Sequence, residues 1–307
     1  KVLKEKDNYL LVSHLNYDAD SLSSLSSLGY ILQSLNKNFQ IYFAEKIDEK
    51  YNFLPLINKF TKDIKENFDN VIILDFPASN HPRLSLPSSA KNKFKINIDH
   101  HQTNKLEADL NFVFIDCLAT AQIIYYLAKK LNIMDSTLAT CLLLGIMSDT
   151  MLMTIEMTKE KIIEILEITK NLVENGADYN LIVETLTQIK FEDFKNSSNL
   201  FNKIEKDNSL VWLVINKQEN RNVSGLINNL IKIKEAKIAV LFREEKDFIK
   251  IELRSKGNIN VAMLAEKYFN GGGHKNASGG YLKMNLDEAV KFVLEKVKEF
   301  LNENKVF

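Results

Sequence analysis

Four short segments of the sequence carry side chains of the kinds that can bind metal ions: His14, Asp18 and Asp20; Asp75; Asp99, His100 and His101; and Asp149. A mixed set of imidazoles and carboxylates suits manganese, iron, cobalt or zinc, whereas magnesium prefers oxygen ligands and water. Two such ions, roughly 3.5–4 Å apart, need a shared carboxylate. Asp75, alone in its segment, is the natural bridge. Charge balance agrees, because Asp18, Asp20, Asp75 and Asp149 together would neutralise two divalent ions. Without metal these carboxylates would repel one another and raise each other's pKa values. Taken singly, each segment has an ordinary explanation: a capping aspartate, a turn residue after a strand, an exposed histidine pair. Their common placement argues against coincidence. Of the histidines at 14, 81, 100, 101 and 274, only His81 falls outside every motif.

That placement follows from the elements around them. Tyr9–Ser13, Asn38–Ala44, Asn70–Asp75 and Phe94–Ile98 are short apolar runs that read as strands. Ser21–Leu35, Thr120–Leu131, Ser136–Met147 and Thr158–Asn175 have helical period and length. Strands alternating with helices imply an α/β fold with a mostly parallel sheet. In such sheets ligands sit outside the carboxyl ends of the strands. Three of the four metal-binding segments follow strands, and Asp149 closes a helix. Asn175-Gly176-Ala177-Asp178 reads as a helix stop followed by a new N-cap. The polar helical stretch that follows is a connector, and Leu210–Ile215 opens a second, smaller α/β module. That module continues with a helix over Ser224–Lys234, strands over Lys237–Phe242 and Phe248–Leu253, and two further helices. The expected division is a metal-binding domain over 1–185, a connector over 186–206 and a substrate-binding domain over 207–307.

The second module carries Arg254-Ser255-Lys256 and Gly271-Gly272-Gly273-His274-Lys275. Successive glycines let backbone N–H groups approach an anion, and His274 and Lys275 add cationic partners. Arginine suits bidentate phosphate binding. The plainer reading of the glycines is a turn between a helix and a strand.

The set His14/Asp18/Asp20, Asp75, Asp99-His100-His101 and Asp149 resembles the four motifs of the DHH phosphoesterase superfamily, and Gly271–Gly280 resembles the glycine-rich signature of the DHH-associated domain. This resemblance implies that His14, Asp18 and Asp75 hold one manganese ion and that Asp20, Asp75, His100 and Asp149 hold the second. It also implies that His101 faces the substrate phosphate and that Asp99 orients a ligand imidazole. Arg254, Ser255, Gly271, Gly272, Gly273 and His274 would bind substrate. The implied reaction is hydrolysis of short oligoribonucleotides, linear or cyclic dinucleotides such as cyclic di-AMP, or pAp. A nucleotide-binding regulatory protein with weak or no catalysis is the alternative. The sequence departs from the family pattern in three places. Tyr17-Asp18-Ala19-Asp20 and Ser21–Ser24 stand where glycines are usual, Phe76-Pro77 follows Asp75 with Asn80 and Arg83 as a polar edge, and Ala119-Thr120-Ala121-Gln122 replaces a segment ending in glutamate. An acidic role is thereby expected to be lost at Gln122.

Composition narrows the setting. Lys+Arg and Asp+Glu each number 40, so the whole chain is no polycation built to coat duplex DNA. With 45% hydrophobic residues, 307 residues can build two cores. Ten glycines, four prolines and two cysteines exclude collagen-like, disordered and disulfide-rich classes. Cys117, Cys141, Met147, Met151 and Met153 read as core fillers. No apolar run approaches the roughly 20 residues of a membrane span, and no charged-then-apolar segment opens the sequence. A cytoplasmic setting with no membrane partner is the expectation; a homodimer is compatible with it.

Overall fold

The computed structural model describes residues 2–15, 17–65, 67–76, 86–219 and 225–303. Asn80, His81 and Arg83, and the expected helix start at Ser224, lie outside these. The chain divides into two compact units, Lys1–Gln188 and Ile189–Phe307.

The first unit runs α1 (Val2–Glu5), β1 (Tyr9–Val12), α2 (Ala19–Ser34), β2 (Phe39–Tyr42), β3 (Phe60–Thr61), β4 (Asn70–Leu74), β5 (Phe94–Asp99), β6 (Leu110–Val113), α3 (Thr120–Leu131), α4 (Ser136–Asp149), α5 (Lys159–Glu174) and α6 (Tyr179–Thr187). Its six strands lie in the order β3-β2-β1-β4-β5-β6, and every pairing is parallel. The α/β class and the parallel sheet expected from the strand–helix alternation are therefore present. β1 and β4 are buried on both faces, as their unbroken apolar runs require. Tyr9, Leu11, Ile72 and Leu74 point into a core shared with α2–α6. Leu10, Val12, Val71 and Ile73 point the other way, against Phe68, Phe76 and Ala90 from irregular segments. One face is thus covered by helices and the other, among the described residues, by loops.

The order of strands reverses between β1 and β4, the first strand and the next one to its other side. Chain connections leave these two strands toward opposite halves of the sheet, which opens a crevice at their carboxyl ends. Register places Val12 opposite Ile73, so the segments after β1 and β4 emerge side by side. β6, the edge strand, was not apparent in the sequence, because Leu110-Asn111-Phe112-Val113 is short and only half-buried.

The second unit runs α7 (Phe191–Phe201), β7 (Glu205–Asp207), β8 (Leu210–Ile215), α8 (Leu226–Lys232), β9 (Ile238–Glu244), β10 (Ile249–Ser255), α9 (Val261–Tyr268), β11 (Gly272–His274), β12 (Ala277–Leu282) and α10 (Leu286–Glu303). Its sheet has the order β11-β12-β10-β9-β8-β7, with only β8–β9 parallel. α8 and Leu200 of α7 cover one face, and α9 and α10 cover the other. Helix α7, read from the sequence as part of a connector, groups with this unit through Leu200. Ala289, Val293, Val297 and Leu301, spaced four apart, are the buried stripe of α10. Among the described residues no helix is long and apolar enough to cross a membrane.

Candidate metal centre

The loop after β1 delivers the first three side chains. His14 leaves the strand end and directs Nδ1 at the Leu15 carbonyl, 2.9 Å away. A carbonyl only accepts, so Nδ1 carries the proton and Nε2 is left as the coordinating nitrogen. Asp18 is the N-cap of α2: its Oδ1 accepts from Ser21 N, and Ser21 Oγ accepts from Asp18 N in return. Its other oxygen stands 3.8 Å from His14 Nε2. Capping therefore uses one oxygen of Asp18 and leaves the other facing His14. Asp20, the second residue of α2, is fully buried.

Asp75 follows β4 with φ of +55°, in the left-handed region that a residue with a Cβ rarely occupies. Its N–H donates to Ile98 O, and its Oδ1 accepts from Thr120 Oγ1 at 3.0 Å. Asp75 Oδ2 is buried with no hydrogen-bond partner among the described residues, 3.7 Å from His14 Nε2. A buried carboxylate oxygen without a donor is costly unless a cation meets it. The donor set fits a metal at this point.

From β5, His100 places Nε2 3.2 Å from Asp149 Oδ2, 3.5 Å from Asp75 Oδ1 and 3.9 Å from Asp20 Oδ2. Within the first unit, three groups of candidate ligand atoms result: His14 with Asp18 and Asp75; Asp20 with His100 and Asp149; and Asp75 with Asp99, His100 and His101. Atoms within each lie within 4.8 Å of one another. Asp75 belongs to two of these groups. Asp149 closes α4 as expected, although the helix runs two residues past the expected end at Met147. Three successive left-handed residues, Met151, Leu152 and Met153, then turn the chain away. Of the methionines expected as fillers, Met147 is buried and Met153 packs partly against the core.

The electrostatics match a site built for cations. Burial raises Asp20 well above the carboxylate range, and the charges of Asp75 and Asp149 add to it. Burial likewise pushes Asp149 up to about 6, against the lowering contact with His100. For His14 burial acts downward, yet Asp75 and Asp18 carry it up to about 9.

Asp99, expected to orient a ligand imidazole, holds the ring of His101 instead of His14 or His100. Its Oδ1 accepts from His101 Nδ1 at 2.8 Å and from the His100 and His101 N–H groups, and Asn104 Nδ2 donates to Oδ2. His101 is therefore the imidazole aligned by Asp99. Cys117, half-buried and not a core residue, supplies its carbonyl to His100 Nδ1 at 3.3 Å. Cys141 is buried, as expected.

Several residues around the centre escaped sequence reasoning. α3 begins at Ala119 without a side-chain cap; instead Asp20 accepts from Thr120 N at 2.6 Å and Ala121 N at 3.0 Å. Charge on Asp20 is thus stabilised by a helix N-terminus. Thr120 holds Asp75 as well. A helix start with no Ser, Thr, Asp or Asn before it was the available signal. Gly145 in α4 is the second case: a Cβ there would stand 2.5 Å from both Asp20 Oδ1 and Ala121 Cβ. Gln122, which stands where the family pattern has glutamate, is buried and bonds Glu164.

In the second unit Arg254 lies on β10, its Nε donating to Asn228 Oδ1 and its Nη1 to Leu253 O. The Ser255 hydroxyl is engaged in the following turn, donating to Ile259 O and accepting from Asn276. Gly272, Gly273 and His274 form β11, paired with β12, where a bare turn was the plainer expectation. A Cβ on Gly271 would collide with the Gly279 carbonyl, and one on Gly280 with the Phe269 carbonyl. Gly273 has φ of +136°. These glycines are required for close strand approach, whatever else they do.

Residues 8–146 match the DHH family, N-terminal domain, and residues 193–303 match the DHHA1 domain. The chain is 26% identical, over 96% of its length and 95% of the relative's, to the bifunctional oligoribonuclease and PAP phosphatase NrnA of Mycoplasma genitalium. It shares its fold with an exopolyphosphatase-related protein from Bacteroides fragilis, with a TM-score of 0.85 and 22% identity over 99% of this chain and 95% of that one. RecJ of Thermus thermophilus in complex with Mn2+ superposes with a TM-score of 0.57 and 14% identity, covering 98% of this chain and 54% of RecJ.

Proposed function

Because the chain belongs to the DHH family, with a DHHA1 domain after the DHH domain, we propose that it is a two-metal phosphoesterase hydrolysing short oligoribonucleotides and pAp. The observation that carries this reading is Asp75: a buried, backbone-strained carboxylate with one oxygen lacking a donor among the described residues and facing His14 at 3.7 Å, and the other facing His100 at 3.5 Å. The Mycoplasma genitalium relative, named for oligoribonuclease and PAP phosphatase activity, supports the substrate class. Linear and cyclic dinucleotides, cyclic di-AMP among them, share the same phosphodiester chemistry and belong in the test.

In this reading His14, Asp18 and Asp75 hold one divalent ion, and Asp20, Asp75, His100 and Asp149 hold the other. Manganese suits the mixed nitrogen and oxygen donors, and RecJ was solved with it. Bound ions would lower the pKa of a water toward neutrality and polarise the phosphoryl oxygen. The protein's own part is alignment. Thr120 and the α3 N-terminus hold Asp75 and Asp20 in place. Asp99 fixes the His101 ring through Nδ1, leaving Nε2 to meet charge developing on the phosphate. In the second unit, Arg254 and His274 bind the nucleotide. Gly272 and Gly273 would give its phosphate backbone N–H groups, whereas the Gly271 N–H is held by the Ala265 carbonyl, and Ser255 holds the turn beside Arg254.

The test is a turnover panel with manganese: a short oligoribonucleotide, a linear dinucleotide, cyclic di-AMP and pAp, alongside metal analysis. Hydrolysis of the oligoribonucleotide and pAp is expected. Metal-loaded protein that hydrolyses none of the four would defeat the proposal.

A further inference from the structure

The three imidazoles of the centre differ in what stands behind them. His14 Nδ1 faces the Leu15 carbonyl, and His101 Nδ1 faces the Asp99 carboxylate directly. His100 Nδ1 faces the Cys117 carbonyl, and that carbonyl is one end of a longer chain. The N–H of the same peptide group, on Leu118, donates to Gln122 Oε1 at 2.7 Å. Gln122 Nε2 then donates to Glu164 Oε1 at 2.9 Å. Glu164 is held in turn by Tyr126 Oη at 2.6 Å and Lys161 Nζ at 2.8 Å.

The direction of every bond in this series is set by chemistry. A carboxylate can only accept, so the Gln122 nitrogen faces Glu164. A backbone N–H can only donate, so the Gln122 oxygen faces Leu118. The Cys117 carbonyl can only accept, so His100 presents an Nδ1 proton and keeps Nε2 for Asp149, Asp75 and Asp20. Four groups thus align head to tail: carboxylate, side-chain amide, peptide, imidazole. Each amide polarised by an acceptor behind it becomes a better acceptor in front, and such chains strengthen cooperatively. A carboxylate behind a ligating imidazole orients the ring and raises its basicity.

We propose that Glu164 is a positioning residue for the metal centre, acting on His100 through the Gln122 amide and the Cys117–Leu118 peptide. The inference rests on the metal-binding reading of His100 given above. Its action is electronic and orientational. Glu164 makes no contact with substrate or reacting atoms; it delivers part of its negative charge to the rear of one ligand and locks that ligand's tautomer. Only the ion held by His100 depends on it. The ion assigned to His14 and Asp18 does not.

The partner Lys161 makes the proposal separable from a purely structural one. Glu164→Gln keeps an acceptor for Gln122 but removes the charge. Lys161→Met removes the ion pair and leaves the charge in place, no longer shared with a cation. Metal-free protein is titrated with manganese against a chelating indicator, and thermal unfolding is followed for each variant. Glu164→Gln is expected to weaken one of the two ions by about tenfold, the low end for partners of a metal-ligating imidazole. Lys161→Met is expected to leave that ion as tight or tighter, with a stability loss similar to that of Glu164→Gln. Equal weakening in both variants would show that the ion pair merely braces α5, and the proposal would be wrong. Unchanged affinity in Glu164→Gln, or equal loss at both ions, would overturn it too. If the unaltered protein takes up no metal, the metal reading fails first and this proposal with it, a result distinct from the others.

Discussion

Both units build a six-stranded sheet, yet they use their unusual residues in opposite ways. The parallel sheet of the first unit places buried charge at its carboxyl edge: Asp20, Asp75, Asp99 and His100 are all buried there. The mixed sheet of the second unit places glycines where the first has carboxylates. Gly271, Gly273 and Gly280 sit where a Cβ would strike a neighbouring backbone. In the first unit the local motif conflicts with a stable fold, because like charges are packed without enough donors. In the second the motif serves the fold, because the hairpin cannot close otherwise. The lesson is that a motif rich in chemistry-bearing residues and one rich in glycine are evidence of different kinds. The former needs a ligand to explain it, whereas the latter has a packing explanation to be subtracted first.

Substitutions that exchange these roles test the contrast. Asp75→Asn keeps the shape of the side chain and removes the shared charge. Turnover should become undetectable and metal content should fall, while the metal-free protein unfolds near its normal temperature. Near-normal hydrolysis at saturating manganese would sink the shared-carboxylate assignment.

Gly271→Ala should do the reverse. The added methyl meets a backbone carbonyl that cannot rotate away, so the second unit should lose about 3 kcal/mol, the upper end for overpacking. Metal content should stay normal. Undiminished stability combined with a loss of nucleotide affinity would show that the glycine serves the anion and not the hairpin.

A smaller effect is expected at Arg254 and His274. Removing a charge-assisted contact to phosphate typically costs about 1.5–3 kcal/mol, or roughly ten- to hundred-fold in kcat/KM. Arg254→Ala and His274→Ala should lose this much on a dinucleotide and less on an aryl phosphodiester, which has no nucleotide for the second unit to hold. Loss of metal, or equal losses on the two substrates, would place these residues in the metal centre or the fold.

The smallest effect concerns a charge that the second unit does satisfy. Glu252 contacts Arg243 at 2.9 Å and Lys250 at 2.8 Å. Burial works to raise its pKa, but these cations hold it below the usual value. A depressed folded pKa stabilises above the unfolded value of about 4.3 and is lost as pH falls through the folded one. Glu252→Gln should therefore cost roughly 1 kcal/mol at neutral pH and progressively less at acid pH. Denaturant titrations at neutral and acid pH check this; a cost independent of pH would mean that packing, not charge, is what Glu252 contributes.

Much of the fold was legible because strand and helix periods are local properties. Tyr9–Val12, Asn70–Leu74 and Thr120–Leu131 can be read from apolar pattern alone, and so can the α/β class. β6 and the β11–β12 hairpin could not be read this way. Their pairing depends on a neighbouring strand, and half-buried or glycine-rich segments carry little periodic signal. The boundaries shifted for a similar reason: α4 runs on to Asp149 because nothing local stops it before Thr150.

The candidate site divides along the same line. Residue type and strand-end position were enough to name His14, Asp18, Asp20, Asp75, Asp99, His100, His101 and Asp149, because coordination chemistry admits few side chains and open parallel sheets expose one edge. Which carboxylate stands behind which imidazole could not be read there. Asp99 and His101 are two residues apart, and whether they meet depends on a backbone turn that no propensity encodes. Asp20 capping α3, Gly145 giving it room, and Glu164 reaching His100 through Gln122 and a peptide each join elements distant in the chain. Local sequence decided which atoms could bind a cation; only the packing of α2, α3, α4 and α5 decided how those atoms are held. Hydrogen-bond direction and steric exclusion act through space, and the chain order carries no record of them.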